Sequence, residues 1–140
     1  MAKKPVTPLL TADCVVLDAR DRVLLIRRGR PPFEGHYALP GGFVDVGEPV
    51  EEACRRELLE ETGVKAGRLT LIGVYSAPDR DPRFHTASAA FLTRVRRADA
   101  KAGDDAAAAE WVENWRRLDF AFDHKLILRD AMKLAARLRG

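Results

Sequence analysis

Two apolar, β-branched runs, Ala12 to Leu17 and Val23 to Arg27, are separated by Asp18-Ala19-Arg20-Asp21, and turn chemistry between such runs predicts a hairpin. Arg28 to Phe33 reads as a loop. Tyr37 to Leu39 predicts a short strand, Pro40-Gly41-Gly42 a turn, and Phe43 to Asp45 another strand. Gly47-Glu48-Pro49 opens a helix, with proline in the first turn where its missing N–H costs nothing, and Gly63 closes it as a left-handed cap. Leu69 to Ser76 and Thr86 to Val95 are strand-like, the second alternating Ala89, Phe91, Thr93 and Val95 against Ala90, Leu92 and Arg94. Ala98 to Ala109 reads as a mobile loop, with a helical turn over Ala106 to Ala109 as the alternative, and Glu110 to Asn114 as a last strand. Asp123 is placed to cap a final helix whose Ile127, Ala131, Leu134, Ala135 and Leu138 recur at helical spacing.

These elements suit one layered α/β domain over residues 1–140, with 1–10 a candidate disordered tail. At 46% hydrophobic and 32% charged, the chain has enough apolar mass for a core. No apolar run approaches the roughly 18 to 20 residues of a membrane span, and Met-Ala-Lys-Lys-Pro lacks the apolar stretch of a secretory signal, so a cytoplasmic address and no membrane partner are expected. The net charge of +3 is too small to be a nucleic-acid footprint. Cys14 and Cys54 have no Cys or His at metal-ligand spacing and read as small core residues.

The most informative stretch is Glu48 to Gly63. At about 100° per residue, Glu57, Glu60 and Glu61 fall within roughly one 100° arc, shared with or close to Val50, Ala53, Cys54 and Val64. Carboxylates on the apolar side of a helix, two of them at i, i+4, repel one another and call for a cation. A hard divalent metal answers better than Arg56 alone, because it takes carboxylate oxygens and leaves positions for phosphates. The alternative on spacing alone is an exposed helix whose acids pair with Arg55 and Arg56.

The glycine turn Leu39-Pro40-Gly41-Gly42 precedes this helix and lets the backbone approach a metal or phosphate closely. From there the spacing is Gly42, five residues, Glu48, seven residues, Arg56-Glu57-Leu58, one residue, Glu60-Glu61, one residue, Gly63-Val64. This resembles the Nudix hydrolase signature G-x5-E-x7-R-E-U-x-E-E-x-G-U, U being bulky and aliphatic, at every specified position. The resemblance implies a Nudix-type α/β/α sandwich with a mixed β-sheet. It implies Glu57, Glu60 and Glu61 as ligands of Mg²⁺ (or Mn²⁺), the Gly42 carbonyl as a further ligand, and Arg56 and Glu48 as residues orienting the carboxylates and securing the helix start. It also implies water attack on a nucleoside diphosphate linked to another group, and a homodimer is one arrangement open to such a chain.

For the general base, Glu57 competes with the loop before the last strand, where Glu110 ranks ahead of Asp105. Ser76 to His85, with Arg80 and Arg83, looks like a segment of the family's ADP-ribose pyrophosphatases, which makes ADP-ribose, cleaved to AMP and ribose 5-phosphate, the leading substrate. By the same resemblance Arg27 and Arg30 would approach the phosphates. Phe33, His36 and Tyr37 offer an adenine face, though Tyr37 suits the core equally. The competing readings are a house-cleaning nucleoside triphosphate pyrophosphohydrolase and, in another class, a non-catalytic nucleotide-sensing Nudix-like module.

Overall fold

The computed structural model describes residues 3–96 and 106–139. Its strands are β1 (Leu9–Leu17), β2 (Val23–Arg28), β3 (Tyr37–Ala38), β4 (Gly41–Phe43), β5 (Thr70–Tyr75), β6 (Thr86–Arg94) and β7 (Ala106–Val112). The helices are α1 (Val50–Thr62) and α2 (His124–Arg139), with a 3-10 turn at Trp115–Arg117 between β7 and α2.

The sheet is mixed. β1 runs parallel to β6 from Leu9↔Thr86 to Leu17↔Arg94, and its other edge changes partner, antiparallel to β4 over Thr11 to Asp13 and to β2 at Leu17. β2 also carries β3 and β7, and β5 lies outside β6. The apolar run of β1 follows from burial on both faces. Val15 and Leu17 pack with Leu25, Trp115 and the Ile127, Leu128, Ala131 and Ala135 stripe of α2. Cys14 and Val16 pack with Leu24, Phe91 and the Ala53, Cys54 and Leu58 stripe of α1. One helix on each face makes the α/β/α sandwich, and truncating a fully buried side chain such as Leu58 to alanine costs about 2–5 kcal/mol.

The β1–β2 hairpin forms on its own local chemistry. The Asp18 carboxylate accepts the Arg20 and Arg22 amides, each at 2.9 Å, and Asp21 takes a positive φ of 59° that aspartate tolerates. Pro49 precedes α1, and Gly63 closes it at φ 73° with its N–H on the Leu59 carbonyl.

Four expectations need correction. The strand near the glycine turn is Gly41–Phe43 rather than Phe43 to Asp45, because pairing with β1 draws the glycines themselves into the sheet. β7 starts at Ala106, since the alanines pair with Arg27 and Arg28 of β2 rather than forming a loop or helical turn. Leu138 is 61% exposed and Leu128 takes its place in the buried stripe of α2. Cys14 and Cys54 are buried as expected, but they are joined in a disulfide across 6.1 Å between Cα atoms, which ties α1 to β1.

Candidate active site

A cavity of about 760 Å³ opens where β1 changes partner, bordered by the β4 turn, the C-terminal half of α1 and the loops after β2 and β5. Glu57, Glu60 and Glu61 all line it, as do Gly41 and Gly42. Arg28, Arg30, Arg80 and Arg83 also line it, bringing guanidinium groups to the same cavity as the carboxylates.

The acids are held individually. Arg56 is the hub: Nε and Nη2 donate to the two Glu48 oxygens at 2.7 and 3.0 Å. Its Nη1 donates to Glu57 at 2.8 Å and to Glu60 at 3.3 Å, while Nη2 also reaches the Phe43 carbonyl at 3.1 Å. This grip holds the Glu48 carboxyl down at about 2. Burial pushes the Glu57 carboxyl up, only partly offset by Arg56. The Glu60 side chain is 58% exposed, and Glu61 accepts the Gly41 amide at 2.7 Å. The helix therefore sets the carboxylates along the rim of its buried stripe, and Arg56 serves four acids, Asp45 at 3.6 Å being the fourth.

Gly42 fits against this group with no room to spare. A Cβ there would stand 2.7 Å from the Glu57 carboxyl carbon, so any side chain would push that carboxylate aside. Among the described residues no three Asp, Glu, His or Cys side chains already converge as a metal cluster. The donors that border the turn are nevertheless all oxygens, three carboxylates beside closely approaching backbone, which is the chemistry a hard divalent cation takes.

The other anticipated residues divide. Arg83 lines the cavity with its guanidinium forked onto Asp81 at 3.1 and 2.8 Å and lying 5.0 Å from the Phe84 ring centroid. Arg80 is almost wholly buried: it forks onto Asp123 at 2.9 and 2.6 Å and donates to Thr86 at 2.7 Å, so three of its five N–H groups are committed to the protein. Asp123, expected as a helix cap, gives its carboxylate to this pair instead.

Arg27, Tyr37 and Glu110 do not line the cavity. Strand alternation turns Arg27 away from its neighbour Ile26, which does. Arg27 lies 5.1 Å from the Tyr37 ring centroid and donates to the Gly35 carbonyl, and the Tyr37 hydroxyl donates to Glu110 at 2.8 Å. The first-ranked base is thus engaged in a pair outside the cavity. Asp104 and Asp105 lie outside the described residues.

Sequence reasoning missed Arg28, Phe122, Asp13 and His124, all of which line the cavity. Arg28 lies 5.0 Å from the centroid of Phe122, and burial pulls its guanidinium down from its ordinary value. His124 accepts the Leu39 amide on Nδ1 at 3.0 Å, which places the proton of the neutral ring on Nε2, facing Asp13 at 3.6 Å. Burial pushes this imidazole below its ordinary value. One signal was present for Asp13: a lone carboxylate inside the apolar run of β1.

A model of the NUDIX domain matches residues 7–133. The chain belongs to the NUDIX domain family. Over 118 residues the Nudix chain is 48% identical to an ADP-ribose pyrophosphatase of Methanocaldococcus jannaschii, covering 84% of this chain and 70% of that protein. It superposes on the NUDIX domain of Shewanella oneidensis NrtR complexed with ADP ribose with a TM-score of 0.87 at 25% identity, covering 93% of this chain and 90% of that one. A bifunctional NMN adenylyltransferase/ADP ribose pyrophosphatase of Francisella tularensis, complexed with AMP and a Mn ion, matches at a TM-score of 0.79 and 28% identity, over 91% of this chain and 42% of that one. Membership and the 48% relative together support a Nudix pyrophosphohydrolase. No helix among the described residues is long and apolar enough to cross a membrane.

Proposed function

We propose that this Nudix chain hydrolyses ADP-ribose to AMP and ribose 5-phosphate with the help of a divalent cation, Mg²⁺ or Mn²⁺. The observation that carries the reading is the single cavity holding Glu57, Glu60 and Glu61 together with the guanidinium groups of Arg28, Arg30 and Arg83. Carboxylates and guanidiniums in one cavity suit a cation together with the diphosphate it accompanies. The likeness to an ADP-ribose pyrophosphatase at 48% identity supports the substrate.

Glu57, Glu60 and Glu61 would hold the cation, with the Gly42 carbonyl beside them. Such an ion, when bound, neutralises the diphosphate and sharpens a water for attack on phosphorus. Arg56 keeps Glu48, Glu57 and Glu60 oriented at the start and along the face of α1. Arg28 and Arg83 bind the diphosphate through the N–H groups not engaged by Pro32 and Asp81, with Arg30 beside them. Phe122 steadies Arg28 and Arg83, which lie over its ring at 5.0 and 5.9 Å. Water adds to one phosphorus, the bridging P–O bond breaks, and the departing phosphate keeps the bridging oxygen. With Glu110 engaged by Tyr37 outside the cavity, Glu57 is the carboxylate left to take the water's proton.

A substrate panel with Mg²⁺ tests this reading. ADP-ribose, a dinucleoside polyphosphate, a nucleotide sugar and a nucleoside triphosphate are compared by phosphate release after phosphatase coupling. ADP-ribose leads the panel if the reading holds. A lead by the triphosphate would favour the house-cleaning alternative, and binding of ADP-ribose without turnover would favour a sensor.

A further inference from the structure

Thr11 and Asp13 stand two residues apart on β1, so their side chains leave the same face of the strand, and both line the cavity. The Thr11 hydroxyl is shielded from solvent and has no hydrogen-bond partner among the described residues. It is the one side-chain atom found in that condition there. A buried hydroxyl left unpaired costs stability, and valine would fill the same space without that cost. Asp13 is only 5% exposed. Its Oδ2 accepts the Ser88 hydroxyl, but Oδ1 has His124 Nε2 at 3.6 Å, too far for a hydrogen bond. A residue with an acceptor oxygen and one with an unpaired hydroxyl therefore line the same cavity.

The chemistry of this pair selects among ligand groups. A carboxylate repels phosphate, so the anionic part of a substrate belongs with the arginines. Arg80 and His124 beside Asp13 leave no opening for a second cation there. A neutral group that both donates and accepts is what remains, and sugar hydroxyls are such groups. The position adjoins the glycine turn: a Cβ on Gly41 would lie 2.4 Å from Asp13 Oδ1, and Gly41 donates its amide to Glu61.

We infer that Thr11 and Asp13 form a ribose-hydroxyl subsite next to the glycine turn, Thr11 Oγ1 and Asp13 Oδ1 hydrogen-bonding the hydroxyls of a ribose attached to the diphosphate. The inference rests on the proposed nucleotide reading of the cavity. It names which part of the substrate the uncharged end recognises.

Thr11→Val is the test, with Thr11→Ser as the variant that keeps the hydroxyl. Affinity is measured by calorimetry on the whole chain with Mg²⁺ present, using the non-hydrolysable α,β-methylene analogues of ADP-ribose, ADP and 2′,3′-dideoxy-ADP as ligands. Thr11→Val should bind ADP-ribose about tenfold more weakly, Thr11→Ser should bind it like the wild type, and the melting temperature of Thr11→Val should stay level or rise. Loss confined to ADP-ribose assigns the terminal ribose; loss shared with ADP but not with the dideoxy ligand assigns the nucleoside ribose. Equal affinity of wild type and Thr11→Val, or the same loss for all three ligands, overturns the subsite alone. A wild type that binds none of the ligands overturns the function reading, and the subsite falls with it.

Discussion

Arg80 and Asp123 meet in a two-bond fork, Nε to Oδ2 at 2.9 Å and Nη2 to Oδ1 at 2.6 Å, that fastens the loop after β5 to the residue preceding α2. The Arg80 side chain is 4% exposed, so the pair is protected from solvent screening. Removing one partner of a buried pair leaves the other charge uncompensated. Arg80→Ala should therefore cost about 3 kcal/mol of folding stability, read as a lower urea midpoint. Arg80→Lys should recover little of it, because lysine cannot make the fork. A variant as stable as wild type but poor in substrate binding would return Arg80 to the ligand.

His124 gives the fold a pH dependence of definite sign. Its folded-state pKa is lowered by burial, whereas the unfolded value is about 6.5. Below that value the unfolded chain takes up a proton that the folded chain refuses, so stability is full above about 6.5 and falls as the pH drops. Protonation would also put a donor on Nδ1 against the Leu39 amide. Urea unfolding at pH 7.5 and 5.5 should show a larger loss for wild type than for His124→Asn, whose side-chain oxygen can accept the Leu39 amide without titrating. Equal losses would remove His124 from the pH response.

Tyr37 and Glu110 form a pair that serves the sheet. Glu110→Gln should retain turnover within a few-fold, and Tyr37→Phe should cost about 1 kcal/mol of stability. A loss of a thousandfold in Glu110→Gln would restore it as the base and place it in the cavity in the working enzyme.

What was legible in the sequence was local. Asp18 and Asp21 write the β1–β2 turn, Gly63 writes the end of α1, and the spacing from Gly42 to Val64 brought the acids to one site, since a helix fixes neighbours three and four residues apart. What was not legible joins distant parts of the chain. Arg80 finds Asp123 across 43 residues, Cys14 finds Cys54 across 40, and Tyr37 finds Glu110 across 73, contacts decided by how strands and loops pack. Arg27 and Arg28 show the intermediate case. Arg27 was expected at the phosphates and Arg28 was not, because the alternation that turns Arg27 aside becomes informative only once β2 is placed against β3 and β7.

Glu61 links the helix to the glycine turn through the Gly41 amide. A glutamine oxygen can accept the same N–H, so Glu61→Gln should keep the wild-type melting temperature while losing at least a hundredfold in turnover. Turnover near wild type would take Glu61 out of the proposed metal site.

The most direct test is Mn²⁺ binding followed by electron paramagnetic resonance, comparing wild type with a variant carrying Glu57→Gln, Glu60→Gln and Glu61→Gln. The wild type should remove free Mn²⁺ signal to saturation, and the folded triple variant should remove little or none. Equal Mn²⁺ uptake by the two proteins, or none by the wild type even with ADP-ribose present, would contradict the assignment of these carboxylates to a divalent cation.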